Sequence, residues 1–322
     1  MKPNKKMKKR FFNLIVSAGS VDGICSSAAT LRVLCEPETE IVFTQAFTVD
    51  KIDPTAWKPN RKVLFVDLAV NNRDEAMTVD FLRRITAAGH QIVGVLDEHC
   101  REDWEKAFAA ADLDFDLLIE PVSQATGEIK SSGALLLNIL GIVDEHTEEL
   151  LGAADAGDKM NFDTHFGRMV NKAVKSKIAD DSRRVYLAKH FAENTQPDET
   201  ILGWIAEYDK ILKNHQEIIA ARQDLSDGIV RVVTTGLTVD MTTLMSELYK
   251  LGTKVVIVEG MAFNKSVGHP TLQVSFGASD NKLDILTAIK AAGVTASGFA
   301  SKANIEPTDE NSALAAVRAL LQ

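Results

Sequence analysis

Two short strings in this chain combine carboxylate, hydroxyl and imidazole groups directly after apolar runs: Ser17-Ala18-Gly19-Ser20-Val21-Asp22-Gly23 and Asp97-Glu98-His99. The first follows Phe12–Val16 and the second Ile92–Leu96, and both runs read as buried strands. Each string also opens a segment that reads as a helix. Two further aspartates occupy comparable places, Asp67 after Lys62–Val66 and Asp155 within Gly152-Ala153-Ala154-Asp155-Ala156-Gly157-Asp158. Carboxylates at the carboxyl ends of successive parallel strands converge on one crevice, where open α/β sheets bind ligands. Such a cluster repels itself unless a cation or a proton compensates. Oxygen donors suit hard divalent ions, so Mn²⁺ or Mg²⁺ is the expected partner.

The elements that must position these groups alternate through the first half of the chain. Strand-like runs fall at Phe12–Val16, Glu40–Thr44, Lys62–Val66, Ile92–Leu96 and Asp116–Ile119, with amphipathic stretches at Arg73–Ala88 and Glu102–Ala111 between them. That alternation predicts an α/β fold with a parallel sheet. Gly127 is expected to precede a helix from about Lys130, and the pattern from Thr147 to Asn194 is wholly helical. Gln196-Pro197-Asp198-Glu199 breaks the chain and starts a polar periodic run, Thr200–Gln223, that would serve as a connecting helix. A smaller αβ unit follows, with strands expected at Ile229–Val233, Lys254–Glu259, Thr271–Phe276 and Thr295–Ala300. Its helices are expected at Thr242–Leu251, Leu283–Ala291 and Glu310–Leu321. The organisation predicted is a basic tail over 1–10, a first domain over 11–195, a linker helix over 196–225 and a C-terminal domain over 226–322.

The four acidic blocks, in this order, resemble the DHH phosphoesterase superfamily, in particular members with a DHH-associated C-terminal domain (exopolyphosphatase-related and oligonucleotide phosphodiesterase-like proteins). The resemblance covers nearly the whole chain. It implies a metal-dependent phosphoesterase in which four motifs hold two ions, usually Mn²⁺. Against the family's first motif, S-H-G-D-x-D-G-I-C-S-A-A, the histidine is replaced by Ala18 and the first aspartate by Ser20, while Asp22 is kept. In Asp97-Glu98-His99 a glutamate stands where Asp-His-His has its first histidine. The resemblance therefore implies loss of the first metal and retention of the second, held by Asp22, Asp67, Glu98 and Asp155. His99 would contact the scissile phosphate.

The C-terminal domain departs from the family as well. Its V-S-x-R-S strand is Val274-Ser275-Phe276-Gly277-Ala278, so the arginine position is Gly277, which removes a bidentate phosphate contact. The G-G-G-H-x-x-A-A-G-F loop corresponds to Ala291–Phe299, with Gly293 at the histidine position. The resemblance places Ser20, Ser275, Gly293, Ser297 and Gly298 at the substrate, a short oligonucleotide, nucleotide or polyphosphate, in a cleft between domains. His269, in Gly268-His269-Pro270, precedes the strand and is a candidate only. An alternative function is a catalytically inactive member that binds a nucleotide or a protein partner.

Bulk properties agree with this reading. At 322 residues and 45% hydrophobic, the chain can form two cores. A formal net charge of −9 gives no argument for a strongly cationic nucleic-acid groove, although a local basic patch or bound metals can still bind polyanions. Cys25, Cys35 and Cys100 show no paired or zinc-binding spacing and read as free thiols of a reducing cytoplasm. The basic arm before Phe11 reads as a tail followed by a core strand rather than a signal peptide. No stretch approaches the ~20 apolar residues that span a bilayer, so no membrane partner is expected, and a homodimer is allowed.

Overall fold

The computed structural model describes residues 12–34, 38–99, 101–117, 119, 131–264 and 269–322. The chain forms two compact units, Met1–Ala206 and Glu207–Gln322.

The first unit is built on four strands: β1 (Leu14–Ala18), β2 (Glu40–Thr44), β3 (Lys62–Val66) and β4 (Gln91–Leu96). All neighbours are parallel in the order β2-β1-β3-β4. The central strand β1 is buried along its whole length, as a two-sided parallel strand must be. It runs two residues beyond the expected Val16, because Ser17 and Ala18 are small and Ala18 still pairs with Thr44. Within the expected strand at Asp116–Ile119, the described residues show a parallel bridge between Ile119 and Gly94.

One face of the sheet is covered by α2 (Glu75–Ala87) and α3 (Arg101–Ala110), with Phe65, Phe81, Trp104 and Phe108 at the centre of that layer. The other face carries α1 (Val21–Leu34), α4 (Ser132–Leu140), α5 (Glu145–Asp158), α6 (His165–Lys175) and α7 (Asp181–Glu193). Helix α1 is buried along most of its length, and its Gly, Ser, Ala and Thr side chains let α4, α5 and α7 approach closely. Capping side chains fix where these helices begin: Ser131 accepts from the Ala134 N–H, Asp144 from Thr147 and Thr164 from Gly167. The Gly127 expected before α4 lies outside the described residues. The connecting run is α8 (Glu199–Ala220), and the boundary between the units falls within it.

The second unit is a mixed sheet of β5 (Gln223–Asp224), β6 (Ile229–Val233), β7 (Val255–Asn264), β8 (His269–Ala278), β9 (Ser297–Phe299) and β10 (Lys302–Ile305), ordered β5-β6-β7-β8-β10-β9. Helix α9 (Met241–Lys250) packs on one face, while α10 (Ile285–Ala291) and α11 (Glu310–Leu321) pack on the other. Strand β10 has no counterpart in the sequence-based expectation. Its run, Lys302-Ala303-Asn304-Ile305, is too short to show a clear period. Among the described residues no helix is long and apolar enough to cross a membrane.

The approach of α4 to α5 is set by one missing side chain. A Cβ on Gly133 would lie 2.5 Å from Ala154 Cβ and 2.8 Å from the Leu151 carbonyl oxygen. A Cβ on Gly152, on the exposed side of α5, would meet nothing within 4 Å. Gly133→Ala is therefore expected to destabilise the protein by about 1–3 kcal/mol through overpacking. Gly152→Ala is expected to stabilise it by about 0.5–1 kcal/mol through helix propensity. Chemical denaturation of both variants checks the pair.

Candidate metal centre

The β1–α1, β3 and β4 connections all leave the sheet at its carboxyl edge, and the acidic residues of the two strings meet there. Asp22 lies in the first turn of α1, Asp67 follows β3, and Asp97-Glu98-His99 follow β4. One carboxylate oxygen from each of Asp22, Asp67 and Glu98 falls within 4.8 Å of the other two, and all three residues are buried. Asp97, Glu98 and His99 form a second group of the same compactness, so Glu98 joins the two.

Each carboxylate is fixed by a hydrogen bond. Asp22 accepts from Ser26 Oγ (2.7 Å) and from the backbone N–H of Ser132 (3.0 Å) at the start of α4. Glu98 accepts from Ser132 Oγ (2.8 Å). Asp67 accepts from Ser20 Oγ (2.5 Å), and Ser20 Oγ in turn accepts from the Gly23 N–H (2.8 Å). Ser20, where the resemblance expects a carboxylate, thus caps α1 and ties it to Asp67. Gly23 is obligatory here: a Cβ would stand 2.1 Å from the Ala18 carbonyl oxygen and 2.9 Å from Asp67 Oδ2. Asp67 itself adopts a left-handed backbone (φ 52°), its N–H bonded to the Leu96 carbonyl (2.9 Å). A non-glycine residue held in that region is strained, and such strain clusters at functional sites.

The electrostatic consequence is uniform. Burial first, then the charges of Asp67 and Glu98, push Asp22 well above the usual carboxylate range. Burial and the Glu98 charge do the same to Asp67, and burial with Asp97 raises Glu98. The cation on hand is His99. Its Nδ1 donates to Asp97 Oδ1 (2.7 Å), and this bond, opposed by burial and aided by the Asp97, Glu98 and Asp158 charges, raises the imidazole to about 9. Asp97 is fully buried, and its other oxygen accepts from Trp104 Nε1 (2.7 Å).

The expected fourth ligand is not brought into the group. Asp155 accepts from Ser131 Oγ (2.8 Å) and pairs with Lys159 one turn along α5. Burial would raise it, yet these two partners hold it below the usual range. Its charge is therefore already balanced by partners outside the group. The acid of α5 that is felt at the centre is Asp158, whose charge raises both Asp67 and His99. Sequence reading passed over it because Asp155, three residues earlier, holds the family position.

The remaining sequence candidates lie in the second unit. Ser275 on β8 donates to Asn304 Oδ1 (2.7 Å) on β10. Gly293 follows α10 with φ 81°, and Ser297 and Gly298 are exposed on β9. The Gly277 position is packed rather than open, since a Cβ there would lie 2.0 Å from Met245 Cε. His269 is exposed at the start of β8 and bonds the adjacent Pro270 carbonyl.

The same architecture occurs in solved structures. Similar folds include the pGpG-specific phosphodiesterase PggH of Vibrio cholerae, at TM-score 0.60 and 12% identity, with 96% of this chain and 98% of that one covered. RecJ of Thermus thermophilus in complex with Mn²⁺ matches at TM-score 0.54 and 12% identity, with 96% of this chain but only 52% of RecJ covered. The chain shares its fold with these two proteins. No protein-family model and no curated protein matches the sequence itself. The comparisons therefore bear on the fold, and the DHH resemblance itself rests on the layout of the sequence motifs.

Two measurements follow from the electrostatics. The three raised carboxyls bind protons more tightly in the folded state than in the unfolded chain. Their contribution to stability therefore falls as pH rises above the ordinary carboxylate range. His99, raised from 6.5 to about 9, has the same sign: its contribution is full below 6.5 and lost as pH climbs through about 9. Melts of chelator-treated protein should show a decline in Tm between these limits, with a smaller decline in His99→Gln. Asparagine tolerates the left-handed backbone, so Asp67→Asn should relieve repulsion without new strain. Its metal-free Tm at pH 8 is expected to rise by about 2–4 °C, the shift that about 1 kcal/mol gives a domain of this size.

Proposed function

We propose that this chain is a metal-dependent phosphoesterase that works with one divalent ion, Mn²⁺ or Mg²⁺, on a phosphodiester or phosphoanhydride in a short oligonucleotide or nucleotide. The observation that carries the proposal is the trio Asp22, Asp67 and Glu98, buried with oxygens within 4.8 Å of one another. The trio fits such an ion: its donors are all oxygen, the hard set that Mg²⁺ and Mn²⁺ prefer. Each carboxyl is pushed up by burial and by its neighbours, so a cation would relieve all of them at once. The neighbours lend support by name, one being a phosphodiesterase and the other a complex with Mn²⁺.

An ion held there would supply Lewis acidity toward a phosphoryl oxygen and lower the pKa of coordinated water. The chain's own groups do the rest. Ser26, Ser132 and Ser20 orient the three carboxylates through the hydrogen bonds described above. Asp97 takes the Nδ1 proton of His99 into a short bond and leaves Nε2–H for the substrate. A protonated, half-exposed imidazole beside the acids can bind a phosphate oxygen and then give its proton to the departing oxygen. Asp97 is held by Trp104, so the ring is oriented by a buried chain of two hydrogen bonds.

A second reading, binding without turnover, is favoured by one feature: Ser20 and Ala18 supply no carboxylate or imidazole where a second ion would need them. Turnover separates the two. With Mn²⁺, wild-type protein is expected to release mononucleotides from a labelled dinucleotide. His99→Ala is expected to lower kcat by about 10²–10⁴-fold, as loss of an acid–base group does. Binding of the dinucleotide with no hydrolysis under Mn²⁺ or Mg²⁺ would support the silent reading instead.

A further inference from the structure

The acidic trio and His99 account for a phosphate and leave open what else the ligand must carry. One residue on the same edge of the sheet bears on that. Phe47 is 66% exposed, whereas most phenylalanines of the first unit are buried. It belongs to a short 3-10 helix, Ala46–Lys51, that follows β2. That turn is anchored on both sides of Phe47. Thr48 Oγ1 accepts from the Gln45 N–H (3.1 Å) and meets Thr44 Oγ1 (3.2 Å). Val49 is buried in the layer under α2, and its carbonyl accepts from Arg84 (3.0 Å). The aromatic ring is thus held out in solvent by a rigid turn, at the cost of leaving apolar area wet.

Its position follows from strand register. Thr44 is the partner of Ala18 across the parallel pair. Two residues beyond Ala18 stands Ser20, exposed and bonded to Asp67. Three residues beyond Thr44, a span of at most about 10 Å, stands Phe47. The chain therefore leaves the sheet at adjacent points to present an acidic phosphate site and an exposed aromatic ring.

We infer that Phe47 is a specificity-determining residue that stacks on the base of the substrate, so that the site takes nucleotides in preference to phosphates without a base. Every nucleobase has a π-face, and stacking on an aromatic side chain contributes about 1–3 kcal/mol per base. The preference is accordingly insensitive to which base is present. The inference rests on the phosphoesterase reading of the same site and adds to it the residue that would select nucleotides.

The test compares adenosine 5′-monophosphate with ribose 5-phosphate, which differ by the base alone, by calorimetry on full-length protein in Mn²⁺. The wild type is expected to bind the nucleotide about 5- to 150-fold more tightly, the ratio that the stacking energy gives. Phe47→Ala should lose that advantage while its affinity for ribose 5-phosphate stays the same, and Phe47→Tyr should keep it. An unchanged Tm in Phe47→Ala, expected from its exposure, excludes a folding defect. Equal binding of the two ligands by wild type, or an advantage that survives in Phe47→Ala, overturns the inference and leaves the phosphoesterase reading standing. Failure of the wild type to bind either ligand overturns both.

Discussion

Repulsion among Asp22, Asp67 and Glu98 is the constraint on which the first unit depends, because three carboxylates sharing one buried space must be compensated in the folded state. The hydrogen bonds from Ser20, Ser26 and Ser132 offset part of that cost. They do not cancel it, as all three groups remain displaced toward the protonated form. A structure that kept such a cluster for packing alone would do better with apolar side chains of the same size. That cost is the physical ground for the ion proposed there. The absent side chain of Gly23 leaves room for Asp67, and α4 presents its first N–H to Asp22.

His99 is the counterweight. Bonded to fully buried Asp97 and close to Glu98, it adds positive charge at the mouth of an otherwise acidic centre. The two halves are linked through Glu98, which sits in both groups. A cation among the carboxylates and a protonated imidazole beside them would present an anionic phosphate with positive charge from two directions. Ser20 marks the limit of the arrangement. Its hydroxyl serves Asp67 and the first turn of α1, and provides no third carboxylate on that side.

Much of this was legible in the sequence, for reasons that can be located. Strands β2 and β3 and helix α11 fall at the residues that their apolar patterns indicate, because buried parallel strands and amphipathic helices are repetitive signals. The convergence of Asp22, Asp67 and Glu98 was legible because the carboxyl ends of parallel strands share an edge. What escaped depends on side-chain direction or on long-range pairing. Asp155 stands where the resemblance expects a ligand; its i,i+4 pairing with Lys159 follows from helix spacing, but its bond from Ser131, 24 residues away, does not. Asp158 did not stand out because the resemblance assigns the ligand position to Asp155, three residues earlier. Trp104 lies seven residues from Asp97 in the first turn of α3, and only the direction of its indole brings the N–H to that carboxylate. Gly277 reads as a lost arginine, but the space is filled by Met245 from α9.

The central claim is that Asp22, Asp67 and Glu98 hold one divalent ion while Asp155 does not. The most direct measurement is anomalous diffraction at the manganese edge from crystals grown with Mn²⁺. The account predicts one peak per chain, ringed by oxygens of those three residues, with Asp155 still paired to Lys159. Two adjacent peaks, a peak liganded by Asp155, or none at the trio would contradict it.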